Sequence, residues 1–203
     1  PLTLSIGRHA WHEARTQLLK DAMASLTCRE ARSVGPGATD GMLGADWQAG
    51  IGEDHSPESH LIPLVLDAAL GRRDAITIFG DDYPTPDGTC VRDFVHVSDL
   101  APAQVGALNA LKAGVQPAVC NVGNGRPYSV RDVITAVERV TGQRVPRSSA
   151  ARRQGDPGVL FASSDGIRRE LGWKRSHPDL DSIVETAWRW HRTHPYGFDG
   201  VAP

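Results

Sequence analysis

Residues 75–114, AITIFGDDYPTPDGTCVRDFVHVSDLAPAQVGALNALKAG, decide the fold class. Ala75 to Phe79 read as a short strand closed by Gly80. Asp81 to Cys90 form a polar loop of Asp, Pro, Thr and Gly, the residues that punctuate regular structure. Around 91–97 the chain becomes a second strand, with Val91, Phe94, Val95 and Val97 framing Arg92 and Asp93. Ser98 then offers a helix cap, Pro102 is tolerated in the first turn, and Gly114 ends the helix. Strands that alternate with helices imply an α/β architecture.

The same alternation continues on both sides. Upstream, SPESHLIPLVLDAALGRRD (56–74) starts a helix at Ser56-Pro57-Glu58, gives it an apolar face of Leu61, Leu64, Val65, Ala68 and Ala69, and stops it at Gly71. Downstream, AVCNVG (118–123) has the pattern of a buried strand, and SVRDVITAVERVTG (129–142) that of an amphipathic helix capped by Ser129. A short strand near Val145, a helix over 165–172 and a final helix over about 179–194 complete the expected order. Near the N-terminus a helical face of Leu18, Leu19, Ala22, Met23 and Leu26 is followed by TCREARSVGPGATDGMLGADWQAG (27–50). Gly35, Pro36, Gly37, Gly41 and Gly44 make a stable strand or helix improbable there. The strands are few and short, so a large doubly wound sheet is not expected from this chain alone.

Composition excludes some classes of function. The 203 residues have room for one domain with at most a small appendage, and a net charge of −2 gives no reason to expect nucleic-acid or membrane binding. No apolar run approaches the roughly 20 residues of a membrane-spanning helix. The three cysteines, Cys28, Cys90 and Cys120, fit neither a disulfide framework nor a C-x-x-C metal site, which suits a reducing cytoplasm.

Several motifs invite chemistry and fail to complete it. NVGNGRPYS (121–129) places G-x-G after a strand and before a helix, but Tyr128 stands where a dinucleotide fingerprint needs its third glycine. A turn in which the backbone approaches something closely accounts for it better. The histidine pairs His9/His12, His55/His60 and His191/His194 lack a third ligand at sensible spacing, so no metal site is expected. His96, inside FVHV, reads as a buried, hydrogen-bonded core residue. No G-x-S-x-G or paired Cys/His arrangement offers a nucleophile. Arg92 at a strand end and Arg152-Arg153 before the Gly155-Asp156-Pro157 turn are more suggestive, because guanidinium groups match phosphate oxygens in paired geometry. Surface ion pairs, with Arg92 held by Asp93 or Asp156, account for them equally well from composition, and both readings stay open.

A family resemblance bears on that choice. IGEDHSPESHLIPLVL, ITIFGDDYPTPDGTCVRDFVHVSDLA, CNVGNGRPYSVRDVI, RRQGDP and SSDGIRRELGWK occur in the order seen in the C-terminal half of bacterial UDP-glucose 4-epimerases. The chain from Ile51 to Phe198 thus resembles that branch of the extended short-chain dehydrogenase/reductase family, the NAD-dependent epimerases and dehydratases. The resemblance implies a small UDP-sugar-binding domain at 51–203, with 1–50 a degenerate remnant of the end of a Rossmann domain whose large sheet is mostly missing. Carried over position by position, His60 and Leu61 match the segment at the uracil and phosphate end. Thr77, Ile78 and Phe79 match the strand against uracil, Arg92 and Arg153 the diphosphate clamp, and Asp156 the ribose contact. The implied partners are UDP-glucose and UDP-galactose, with NAD as the family's cofactor, in galactose metabolism. A homodimer or a separate cofactor domain is also implied. In the family a tyrosine removes the C4 hydroxyl proton while NAD takes the hydride.

The chain departs from that pattern at its start. Ile6 and Ala10 stand where the family's P-Y-G-R-(S/T)-K places its Tyr and Lys, and SVGPGATDGML replaces the expected R-Y-F-N strand. The expectation is therefore a truncated or frame-disturbed epimerase with no catalytic or cofactor-binding residues of its own. The alternatives are a non-catalytic UDP-sugar-binding remnant and an epimerase or dehydratase for another nucleotide-sugar.

Overall fold

The computed structural model describes residues 42–46, 49–54, 57–115 and 120–198. The segment with Ile6 and Ala10, the helical face of residues 18–26, Cys28 and His55 lie outside them. Twelve elements are described, in the order β1 (Met42–Leu43), α1 (Leu61–Ala69), β2 (Ile76–Phe79), β3 (Val91–Arg92), β4 (Val95–His96), α2 (Val97–Lys112), β5 (Tyr128–Ser129), α3 (Val130–Thr141), β6 (Arg147–Ala150), β7 (Val159–Leu160), α4 (Asp165–Leu171) and α5 (Leu180–Thr193). They build three small sheets: β1 parallel to β4, β2 parallel to β6, and β3 between antiparallel β5 and parallel β7.

The main core forms where three helices cover β2. Val133, Ile134, Ala136 and Val137 of α3 are fully buried against Ile183 and Val184 of α5 and Ile62, Val65 and Leu66 of α1. The spacing 130, 133, 134, 137 puts one face of α3 on the core. Each such aliphatic side chain contributes about 1.5–3 kcal/mol on burial. The exposed Arg139–Asp181 ion pair between α3 and α5 contributes about 1 kcal/mol at most, so packing rather than charge joins these helices. α1 is apolar on nearly every side: Ile62, Pro63 and Leu66 are buried together with Val65 and Ala68, while Leu61, Leu64 and Ala69 of the expected face are only partly buried. Pro63 lies in the first turn, where its missing N–H would have had no helical partner. A smaller cluster of Ala103, Ile167 and Trp173 joins α2 to α4, with the Trp173 indole donating to Asp99 O at 2.7 Å.

Several expectations need correction: α1 begins at Leu61 rather than at Ser56-Pro57-Glu58, and Pro102 stands inside α2 rather than in its first turn. Met42 and Leu43, in the stretch judged unfit for regular structure, pair in register with Val95 and His96. That short strand is held by its neighbours: Ala45 N–H donates to Thr186 Oγ1 at 3.2 Å, and Gly44 (φ +97) lies against the His96 ring. Residues 91–97 are two strands broken at Asp93-Phe94, and α2 begins at Val97 rather than after a Ser98 cap. The acceptor at that helix start is the His96 ring, whose Nδ1 takes the Ser98 N–H at 3.0 Å. The described part of AVCNVG, residues 120–123, forms no ladder because Gly123 bonds to the Ser164 hydroxyl instead. The strand expected near Val145 is β6, two residues later, with Val145 buried before it.

His96 is buried, as its FVHV setting predicts. Nδ1 accepts from Ser98 N–H, so Nε2 carries the proton and donates to Thr186 Oγ1 at 2.9 Å. Burial, and then the His177 ring stacked on it at 3.7 Å, push its pKa down to about 4, so it is neutral near pH 7. Among the described residues no helix is long and apolar enough to cross a membrane.

Candidate functional site

The loop between β2 and β3 is tied to itself. Tyr83 N–H donates to Gly88 O at 2.8 Å, Thr85 Oγ1 to Thr89 O at 2.7 Å, and both the N–H and the hydroxyl of Thr89 to Asp87 Oδ1 at 2.9 and 2.8 Å. Gly88 has φ +81, and a Cβ there would lie 2.1 Å from Asp81 O, so the turn excludes a side chain on two counts. The Ser129 hydroxyl also bonds to Asp87. Burial raises the Asp87 pKa, but the hydrogen bonds from Ser129 and Thr89 outweigh it and hold the carboxyl below its ordinary value. This loop delivers Arg92 in a defined direction.

Arg92 is the central strand's cation. Its guanidinium bonds to Asp156 Oδ1 and, through Nη1, donates to Val91 O at 2.8 Å. Of the two carboxylates considered for it, the structure selects Asp156. Asp156 precedes β7, which runs parallel to β3, and Tyr83, buried below this loop, donates its hydroxyl to Asp156 O at 3.5 Å. Arg153 lies with its guanidinium 4.1 Å from the centre of the Phe79 ring, and Arg152 likewise sits 4.3 Å over Tyr83 while pairing with Asp82 at 2.6 Å. Cations, aromatic faces and the carboxylates of Asp156 and Asp82 therefore line the loops that follow β2 and β6. Beside them is an open depression of about 470 Å³, lined by Asp81, Asp82, Ser149, Ala150, Ala151 and Arg152. Planar aromatic surface with paired guanidinium donors suits a base carrying a phosphate group.

The predicted residues do not all gather here. Arg92, Arg153, Asp156 and Phe79 do, and Thr77 shares the half-exposed face of β2 with Phe79. Ile78 points the opposite way into the core at 3% exposure, as the alternation of a strand requires. Leu61 packs against that same core. His60 caps α1 and belongs to a second group, with its Nδ1 2.6 Å from Glu53 Oε1 and 3.0 Å from Glu58 Oε1. Burial and the neighbouring Glu58 carboxylate push the Glu53 pKa up to about 7, against the pull of His60. The ligand atoms of these three residues lie within 4.8 Å of one another, a grouping that the histidine spacings did not suggest because both partners are glutamates.

Sequence reasoning misses Tyr83 and Asp87, although an aromatic ahead of Pro-Thr in a glycine-closed loop signals packing, and it offers Asp93 only as a partner for Arg92. Asp93 accepts from Asn124 N–H at 2.8 Å and from Ala162 N–H at 3.4 Å. The close approach expected at the G-x-G turn occurs at Gly123, where a Cβ would lie 2.3 Å from Asp93 Oδ2 and 2.5 Å from Ala162 O. That turn does not fit NAD. Its close approach is taken by Asp93 and Ala162, and the following helix start is filled by a capping box in which Ser129 and Asp132 satisfy each other.

The chain is similar to nucleotide-sugar enzymes over about three-quarters of its length. Residues 48–123 match the model of the NAD dependent epimerase/dehydratase family. Residues of this chain are 51% identical over 155 positions to UDP-glucose 4-epimerase of Halalkalibacterium halodurans, covering 76% of this chain and 46% of that protein. The UDP-glucose 4-epimerase of Streptomyces lividans is 54% identical over 145 residues, 71% of this chain and 43% of that one. Among solved structures, a UDP-glucose 4-epimerase matches with a TM-score of 0.74 at 47% identity over 77% of this chain and 48% of its own. The Bifidobacterium longum enzyme, solved with NAD+ and UDP, matches with a TM-score of 0.69 at 34% identity, over 77% of this chain and 47% of its own. The chain spans about half the length of the curated relatives it matches.

Proposed function

The chain belongs to the NAD dependent epimerase/dehydratase family, and from that premise we propose that it supplies the UDP-sugar-holding half of a UDP-glucose 4-epimerase, acting on UDP-glucose and UDP-galactose. The observation that carries this reading is the Arg92–Asp156 pair at the β3–β7 edge, with Arg153 on Phe79 beside it. Epimerisation at C4 exposes both faces of one sugar carbon, so binding energy has to come from the distant nucleotide while the sugar stays free to turn. A guanidinium fixed at one edge by a carboxylate keeps its other donors in a set plane, which suits a diphosphate. Asp156 then offers its second oxygen to a ribose hydroxyl, and the Phe79 face takes the base once Arg153 moves to the phosphates. NAD would supply the hydride chemistry when bound, but the turn at Gly123 is already filled by Asp93 and Ala162. The free thiols Cys90 and Cys120 support a cytoplasmic setting.

Calorimetric titration of the purified chain with UDP, UDP-glucose and NAD tests this. We expect UDP and UDP-glucose to bind, and Arg92→Ala to weaken both by roughly ten- to a hundredfold, since hydrogen bonds to a charged group are worth about 1.5–3 kcal/mol. Unchanged affinity in Arg92→Ala refutes the role given to that residue. UDP-glucose binding without NAD binding supports a UDP-sugar-binding remnant, whereas turnover by the isolated chain refutes the remnant reading.

A further inference from the structure

We infer that Asp93 is a positioning residue for the nucleotide anchor, setting the register of β7 and through it the seat of Asp156 on Arg92. The inference rests on the diphosphate role proposed for Arg92. Arg92 and Asp93 are consecutive, and on extended backbone consecutive side chains leave opposite faces. Here they grip the two ends of one strand. Arg92 bonds to Asp156, ahead of β7, while Asp93 takes the N–H of Ala162, just after it.

β7 needs such fixing. It is two residues long, Val159 and Leu160 are about half exposed, and its described ladder consists of the pairs Val91↔Val159 and Arg92↔Leu160, with Val91 N–H donating to Gly158 O at 2.8 Å just ahead of them. A slip of one residue would shift β7, and the Gly155-Asp156-Pro157 turn that leads into it, by about 3.3 Å. That shift takes the Asp156 carboxylate out of hydrogen-bond reach of the guanidinium. A strand held by so few backbone bonds and so little burial relies on side chains for its register.

The Asp93 carboxylate is itself held from a third side. Oδ1 accepts from Asn124 N–H, and Gly123 packs flat against Oδ2. Gly123 is anchored in turn, its N–H donating to Ser164 Oγ at 3.0 Å and its carbonyl accepting from the same hydroxyl. Both partners of Asp93 are backbone N–H donors, so the position calls for an acceptor at each oxygen. An amide would turn its NH2 toward one of them.

The test is a double-mutant cycle on the full chain, with calorimetric Kd values for UDP in wild type, Asp93→Asn, Arg92→Ala and the double variant, and a thermal melt of each. We expect Asp93→Asn to weaken UDP about tenfold, and to add nothing further in the Arg92→Ala background, where Asp156 has already lost its partner. A purely structural role would lower the melting temperature and weaken UDP in both backgrounds alike; that result, or an unchanged UDP affinity in Asp93→Asn, overturns the inference. Wild-type hydrogen exchange gives a second readout that does not depend on a variant folding. By reciprocity UDP should slow exchange of the Ala162 amide, and unaltered protection there also overturns it. Failure of the underlying reading looks different: UDP fails to bind wild type, or binds Arg92→Ala as tightly, and the inference falls with it.

Discussion

At the scale of single residues, Gly123 is the position where a reading of the sequence and the folded structure meet most directly. A glycine between an extended segment and a helix has several explanations, and the missing third glycine already argued for close packing over cofactor binding. The structure names what approaches: the Asp93 carboxylate and the Ala162 carbonyl. Gly123→Ala should therefore destabilise by about 1–3 kcal/mol through overpacking against groups that cannot move aside. In a chain of this size that is a fall of about 2–4 °C in Tm per kcal/mol, measurable by calorimetry. A melt unchanged within error would show that the turn relaxes freely. The arginines stand out in the sequence because paired guanidinium donors match phosphate oxygens. Composition leaves open whether Asp93 or Asp156 aims Arg92. Asp93 sits beside Arg92 in sequence and was a natural partner for it, yet the strand turns it to the other side.

At the scale of elements, helix α3 was almost fully written in its own residues. Ser129, Asp132, the spacing of its apolar positions and Gly142 at φ +69 mark its start, face and end within one short segment. Ser129 does two jobs, accepting from Asp132 N–H at 3.0 Å and bonding to Asp87 in the loop that delivers Arg92. Ser129→Ala should cost about 0.5–2 kcal/mol, toward the upper part of the range for a cap because Asp87 loses a donor as well. The shift of the urea midpoint at constant slope measures it; a change in slope instead would mean that the helix end frays and the compactness of one state has changed. Helix α2 shows why caps alone can mislead. Its sequence offers Ser98, but the ring of His96 is better placed, because β1 and α5 fix that ring between Gly44 and Thr186 before the helix starts. The short strands β1, β3, β4, β5 and β7 are too brief to show periodicity, and their pairing is decided by partners far along the chain.

For the molecule as a whole, buried His96 and partly buried Glu53 pull its stability in opposite directions with pH. Glu53, raised from 4.5 to about 7, keeps its proton in the folded state where the unfolded chain has released it, so stability falls as pH rises through that window. His96, lowered from 6.5 to about 4, stays neutral in the folded state where the unfolded chain takes up a proton, so stability falls as pH drops through that window. Between about 4.5 and 6.5 the two oppose each other. Glu53→Gln should expose the His96 dependence, giving a Tm that climbs more steeply over that range and no longer declines toward pH 7. Parallel Tm curves for variant and wild type would refute the raised Glu53. By itself the sequence determined the α/β alternation, the cap at Ser129 and the buried setting of His96. All of these are encoded by neighbours within a few turns of chain. The tertiary structure alone decided that Arg92 meets Asp156, that Asp93 clasps the far end of β7, and that Glu53 and Glu58 converge on His60. The Arg92 and Asp93 contacts join residues up to 69 positions apart, and Glu53, Glu58 and His60 meet only where the chain folds into α1. One carboxylate looks as good a partner as another in sequence, and only the direction in which packed strands turn each side chain separates them.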